Sequence, residues 1–431
     1  MTDRTIAVDY LARVEGEGSL KVRLEGRTVK EVHLSIFEPP RYFEALLQGR
    51  TYDEAPDITA RICGICPVAY QMSACHAMER AMGLTLPAPL RALRRLLYCG
   101  EWIESHTLHM YLLHAPDFFG VPDALALAKV DVDVVRRGLA LKQAGNTILE
   151  AVGGRAVHPV NVRVGGFYRV PSVAEAEALR AKVAAALPLA RATVRWATGL
   201  PYPELEEPYE FVALRPADEY PMNEGPIASS AGLELPQERF AEAFDELQVP
   251  HSNSFQVVRR GGGSYLVGPL ARYALNRDRL GPEARAAAQE AGLEAVVRNP
   301  FRSLLVRAVE VVHACEEALR ILAAYKPPAE AFVPPTGRFD RGPAAAVTEA
   351  PRGMLYHHYD LAPDGKIRRA TIIAPTTQNQ KRIEDDVRHV VERSLDLPDA
   401  ALTDLCERAI RNHDPCISCA THFLNLEVER G

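Results

Sequence analysis

The sequence predicts an α+β fold, predominantly helical, with a bundle of long helices at its centre, an antiparallel sheet at the N-terminus and smaller β elements towards the C-terminus. Three observations carry this. Residues Thr5 to Phe37 alternate polar and apolar with period two, the pattern of a half-buried sheet. Ala124–Val152, Val173–Gly199 and Phe301–Tyr325 are rich in alanine, leucine and charge at helical spacing. The last hundred or so residues mix short strand-like runs, Met354–Tyr359 and Lys366–Ile373, with two further helices.

Taken in order, Glu25-Gly26-Arg27 reads as the hairpin turn of the first sheet, and Pro39-Pro40 end it. Arg41 to Gln48 is a short helix closing at Gly49. Pro67 suits the first turn of a helix reaching about Met82, and Pro87 and Pro89 separate it from the next, about Leu90 to Leu113. Between the helices Ala124–Val152 and Val173–Gly199, the stretch around His158 and Gly165-Gly166 reads as a tight loop in which His158 is a hydrogen-bonding structural histidine. Pro201 to Pro250 is proline-rich and weakly patterned, a peripheral insertion. Arg259 to Tyr265 is glycine-rich but lacks the Gly-Lys-Ser/Thr ending of a phosphate loop. Lys326-Pro327-Pro328 end the helix Phe301–Tyr325, and Gln380–Leu395 and Pro398–Arg411 are the last two helices. One domain over residues 1–431 is expected, built from an N-terminal part (1–50), a helical bundle (51–330, with the insertion at about 201–270) and a C-terminal part (331–431).

With 431 residues, 47% of them apolar and 25% charged, the chain can bury a sizeable core. Its net charge of -6, with Lys and Arg spread out, excludes nucleic acid as an expected partner. No run approaches the roughly 18 to 20 apolar residues of a membrane helix, and the opening MTDRTIAVDYLARVEG has no signal-peptide core, so the expected location is the cytoplasm. Cys75, Cys99, Cys315 and Cys406 sit in apolar helical contexts and read as small buried side chains.

The other four cysteines form two pairs. Arg61-Ile62-Cys63-Gly64-Ile65-Cys66-Pro67 and Asp414-Pro415-Cys416-Ile417-Ser418-Cys419-Ala420-Thr421-His422 each place two thiols three positions apart, the spacing that aims two sulfurs at one metal. A four-cysteine zinc site uses the same spacing, but its pairs usually lie within one small module, whereas here nearly the whole chain intervenes. Structural zinc, a disulfide and a catalytic metal centre all remain open at this point. Pro67 starting a helix directly after Cys66 favours thiolate there.

RICGIC followed by PVAYQMSACHAME, with DPCISCATH at the far end, resembles the large subunit of a nickel–iron hydrogenase. Arg13-Val14-Glu15-Gly16-Glu17-Gly18, Gly154-Arg155 with His158-Pro159, Gly165-Gly166 and Glu349-Ala350-Pro351-Arg352-Gly353 extend the likeness along the chain. Ser105-His106 and LHMYLLHAPDF are most similar to the cytoplasmic, multimeric branch linked to NAD(P) or a deazaflavin. Tyr70 and Ser105 depart from other branches, which carry histidine and aspartate there.

The resemblance implies a catalytic subunit that cleaves and forms dihydrogen heterolytically and reversibly. It implies Cys63 and Cys416 as terminal nickel ligands, with Cys66 and Cys419 bridging nickel to an iron that carries carbon monoxide and cyanide. By the same resemblance, Arg352 would stand over the open face with Asp414 beside it, Pro375 and Thr376 would contact a cyanide, and Glu15 would receive the proton from Cys416. Glu44, the carbonyl of Ile372 and His422 would hold a supporting magnesium or iron ion, for which oxygen donors are suited. Beyond His422, Phe423 to Gly431 is either a maturation peptide or a retained end. Expected partners are an iron–sulfur small subunit, diaphorase or NAD(P)/deazaflavin-reducing subunits, and maturation proteins, because the chain has no spare cysteine set for clusters. The alternatives are a complex I-like quinone-module subunit, which lacks the four cysteines, and a zinc-stabilised structural protein.

Overall fold

A computed structural model describes residues 3–39 and 41–421. Strands Asp3–Val8, Gly18–Glu25 and Thr28–Ile36 form an antiparallel sheet in that order, with Gly26 at φ 63 in the second turn. Leu20, Val22, Leu24, Val32 and Leu34 bury one face against Ile383, Val387 and Val390 of the helix Pro375–Arg393. That packing ties the start of the chain to its end.

The bundle consists of Ala88–Leu108, Val132–Gly153, Val173–Thr198 and Ser303–Ala323. Ser172 and Glu175 close a full capping box on the third of these. Two expectations are corrected here. The helix expected over Ala124–Val152 breaks at Asp131, whose side chain accepts from the N–H groups of Asp133 (3.1 Å) and Val134 (3.0 Å) and so starts a second helix. The helix expected over Leu90–Leu113 is α-helical only to Leu108. It then widens into a π turn, His109–His114, directly ahead of Pro116, whose missing N–H cannot extend an α ladder.

Strands Ala344–Ala350, Gly353–Leu361 and Ile367–Ile373 form a second three-stranded antiparallel sheet. The first of them has no alternation to reveal it, because all seven residues are buried. His357 is buried against the Tyr359 hydroxyl and His358 is half-buried, both as packing residues. Within Pro201–Pro250, read from the sequence as an insertion, short strands bring Val212, Leu214 and Ile227 into one buried cluster with Val347, Met354 and Tyr356 of this sheet, which Tyr265 joins. Cys75, Cys99, Cys315 and Cys406 are all buried. Among the described residues, no helix is long and apolar enough to cross a membrane.

Candidate metal centre

Cys63 and Cys66 occupy the turn between helices Ala55–Ala60 and Pro67–Met82, with Cys66 as the residue that precedes the second helix. Two consequences follow from that turn. The N–H groups of Ile65 and Cys66 both point at Cys63 Sγ (3.3 Å each). The first N–H groups of the helix are satisfied from outside by the buried Glu101, which accepts from Val68 (2.6 Å) and Ala69 (3.2 Å).

Cys416 and Cys419 arrive from the other end of the chain. Asp414, at φ 52, turns the backbone after helix Asp399–Arg411, and the chain then makes an isolated parallel bridge to Glu15. The Ile417 N–H donates to the Glu15 carbonyl (2.9 Å). The four sulfurs lie within 4.8 Å of one another and are all buried, with Cys63 3.5 Å from Cys416 and Cys66 3.7 Å from Cys419. Cys63, hydrogen-bonded by Cys416, Cys419 and Cys66, is held well below the ordinary thiol range, whereas burial pushes Cys416 well up. Four buried sulfurs can all be ionised only beside a cation, and thiolates select soft metals such as nickel, iron or zinc. The donor set therefore fits such a metal.

Three charged or polar groups surround the cysteine motifs. Glu15 Oε2 lies 3.1 Å from Cys416 Sγ and accepts from the Ser418 N–H (3.0 Å), while the residue itself is half-buried. Arg352, in the turn between the first two strands of the second sheet, donates through Nη2 to Asp414 Oδ1 (3.0 Å) and through Nε to the Asp414 carbonyl (2.7 Å), with Nη1 3.4 Å from Ser105 Oγ. Burial opposes its charge, but Asp414 and the sulfurs of Cys416, Cys66 and Cys63 keep it protonated. Thr376 Oγ1 accepts from the Cys416 N–H (2.9 Å), beside Pro375 at the start of its helix. Tyr70, one of the departures noted above, is buried on helix Pro67–Met82.

Glu44 lies on a helix of only four residues, Phe43–Leu46, and its Oε1 accepts from the Ile372 N–H (2.7 Å). His422, expected to join them, lies outside the described residues. His158 is held at φ 49 with Nδ1 2.8 Å from the Ala60 carbonyl, on the loop beside the first cysteine turn.

Sequence reasoning did not single out Arg41 or Glu101. Arg41 Nη2 reaches both the Ile62 carbonyl (2.5 Å) and the Ser418 carbonyl, so one side chain spans the two cysteine motifs, and its N–H donates to the Thr421 carbonyl (2.6 Å). Glu101 left a usable signal, an acid in an otherwise apolar helical run. Arg41 left none, because its partners are backbone carbonyls.

The family model for nickel-dependent hydrogenases matches residues 41–136 and 262–422. The chain belongs to this family. It is 35% identical over 428 residues to the sulfhydrogenase 1 subunit alpha of Pyrococcus furiosus, covering 98% of each. It is 26% identical over 471 residues to the NAD-reducing hydrogenase HoxS subunit beta of Cupriavidus necator, covering 98% of this chain and 95% of that one. Among solved structures, an NAD+-reducing NiFe hydrogenase in the H2-reduced state superposes with a TM-score of 0.87 at 28% identity, over 97% of this chain and 99% of that one. The chain is thus a hydrogenase large, catalytic subunit, and the complex I-like and zinc-scaffold alternatives fall away. The nickel dependence of the family agrees with the four-sulfur site.

Proposed function

We propose that the four sulfurs hold a nickel–iron pair and that this subunit cleaves and forms dihydrogen reversibly. The observation that carries the reading is the contact of Cys416 Sγ with Glu15 Oε2 at 3.1 Å, a proton donor–acceptor pair at the edge of a buried sulfur cluster. Cys63 and Cys416 would ligate nickel, and Cys66 and Cys419 would ligate both metals. Such a metal pair, with carbon monoxide and cyanide ligands, would supply the polarisation of dihydrogen and the uptake of its electrons.

The chain's own residues manage the protons. Cys416 Sγ accepts the first on heterolytic cleavage and hands it to Glu15, which is half-buried and so connects a dry site to water. Arg352 keeps a fixed positive charge over the site at any working pH and, with Pro375 and Thr376, lines the pocket for the diatomic ligands. Asp414 orients it. Glu44, the Ile372 carbonyl and His422 would hold a magnesium or iron ion.

Cys75, Cys99, Cys315 and Cys406 lie buried on four separate helices and do not form a cluster site. Electrons therefore leave through an iron–sulfur small subunit to a soluble carrier, NAD(P) or a deazaflavin, in the cytoplasm, with maturation proteins installing the metals.

The test is an infrared spectrum of the anaerobic complex with its partner subunits, alongside Glu15→Gln. One carbon monoxide band and two cyanide bands are expected in both proteins, with dihydrogen turnover and proton exchange lost only in the variant. A folded protein whose only metal is zinc and which lacks those bands refutes the centre. Full activity in Glu15→Gln refutes the proton role.

A further inference from the structure

The turn that presents Arg352 is fixed from behind. Pro351 and Arg352 are the two residues between strands Ala344–Ala350 and Gly353–Leu361, whose ladder closes at Ala350 and Gly353. Side chains hold the carbonyls that lead into this turn. Trp102 Nε1 donates to the Glu349 carbonyl (3.1 Å), Arg272 Nη1 to the Ala350 carbonyl (2.9 Å) and Arg272 Nη2 to the Pro351 carbonyl (2.8 Å). The three consecutive carbonyls leading to Arg352 are all held.

Arg272 is itself held on every side. Nε and Nη2 donate to the two oxygens of Glu310 (2.8 Å each), Nη1 to Glu349 Oε2 (3.1 Å), and the guanidinium lies 4.3 Å over the Trp102 ring. It is fully buried, as are Glu310 and Glu349. Its helix, Pro269–Asn276, begins after Gly268 at φ 109, where a Cβ would sit 2.6 Å from the Arg352 carbonyl. Balancing Glu310 needs only one edge of a guanidinium. The other edge grips the backbone of the turn, which a lysine with a single nitrogen cannot reproduce.

We propose that Arg272 is a positioning residue for catalysis: by clamping the carbonyls of Ala350 and Pro351 it sets the direction in which Arg352 faces the sulfurs. This rests on the reading that Arg352 acts at the metal pair, and the test separates the two. Arg272→Lys, Arg352→Lys and the double variant are made in the full complex. Each is measured for nickel and iron content, for kcat and KM with dihydrogen, and for the infrared cyanide bands.

Arg352→Lys is expected to keep its metals, lower kcat and shift the cyanide bands. Arg272→Lys is expected to keep its metals, shift the same bands and lower kcat about 10- to 100-fold at nearly constant KM, the scale of a small misplacement of a catalytic group. The double variant should be no slower than Arg352→Lys, because one residue acts through the other. Losses that multiply overturn the proposal, as do unshifted bands with full kcat in Arg272→Lys. Full activity in Arg352→Lys sinks the reading of Arg352 and the proposal with it. Should Arg272→Lys fail to assemble, Glu310→Gln, which loosens Arg272 while keeping the shape, decides the matter by the same band shift and fall in kcat or their absence.

Discussion

Asp414→Asn isolates the charge that faces Arg352. Asp414 sits at φ 52, a region that asparagine enters as readily as aspartate, so the backbone turn survives the change. The bond from Arg352 Nε to the residue 414 carbonyl (2.7 Å) survives as well, because it belongs to the main chain. What is lost is the negative partner 3.0 Å from Arg352 Nη2, in a spot where Asp414 is 3% exposed. Two unit charges at that distance in an effective dielectric of 20 attract by about 5 kcal/mol. The sulfurs of Cys416, Cys66 and Cys63 still favour the guanidinium and offset part of this. Arg307, which burial already brings down to about 10 and Asp414 supports, loses a counter-charge too. Burial holds the Asp414 carboxyl above its ordinary range despite Arg352, so its desolvation offsets much of the attraction and the net cost is about 1 to 3 kcal/mol, the scale of a lost charge-assisted hydrogen bond. Thermal unfolding of the complex should show it as a drop of a few degrees, with nickel content retained and dihydrogen turnover reduced. Asp414→Ala should cost about 1 kcal/mol more, since alanine has no ease in the left-handed region. A variant Asp414→Asn that melts with the wild type and turns over normally would refute the view that the pair orients Arg352.

Three further outcomes can be checked. Burial pushes Glu104, which lies 2.9 Å from Lys142 Nζ, from the ordinary 4.5 up to about 7. The folded chain therefore holds a proton there that the unfolded chain has released, so this group's stabilising contribution is present below about pH 4.5 and is lost as pH rises to about 7. Relative to the wild type, Glu104→Gln should gain up to about 3 kcal/mol across that window and then level off, and a flat difference in melting temperature would exclude this. Gly145→Ala puts a Cβ 2.6 Å from the Glu104 nitrogen and 2.7 Å from the Gly100 carbonyl. Since backbone atoms cannot step aside, the two bundle helices must separate, costing about 1 to 3 kcal/mol in denaturant unfolding despite alanine's better helix propensity. Arg41→Gln removes the span between Ile62 and Ser418 while touching no ligand side chain, so nickel should be lost to a chelator several-fold faster with the melting temperature almost unchanged. Equal loss rates would show that the span is idle.

What the sequence revealed follows from where each signal is stored. The helices Pro67–Met82 and Val173–Thr198 announce themselves because their caps and apolar stripes are local. The strand Ala344–Ala350 stays hidden because burial on both faces removes the period-two alternation and alanine has little β preference. The break at Asp131 was readable as an N-cap, but the helical pattern on both sides masked it. At the site, the cysteine pairs are legible from their spacing, whereas Glu15, Arg352 and Asp414 stand out only through the resemblance of the motifs that hold them. Arg41, Arg272 and Glu101 are not legible, because each does its work on backbone groups supplied by distant segments. Residue type alone says nothing of which carbonyl or N–H a side chain will meet.

The glycines of Glu15-Gly16-Glu17-Gly18 show how the two ends of the chain can share one site. Gly16, at φ 90, has Ile417 Cβ where its own Cβ would lie 2.6 Å away, and a Cβ on Gly18 would lie 3.0 Å from Ile417 Cδ1. Ile417 is thus seated on two positions that only glycine can hold open, and it is buried there with Ile36, Ala420 and the flank of Val14. Because Ile417 lies between Cys416 and Cys419, seating it brings both sulfurs to the first pair and lays the Glu15 carboxylate against Cys416. Four buried sulfurs within 4.8 Å of one another cannot all ionise without a cation, so the bare cluster does little to hold this closure. A metal that binds all four converts its binding free energy into docking of the C-terminal motif, so metal content and the closed state of residues 414–421 should rise and fall together.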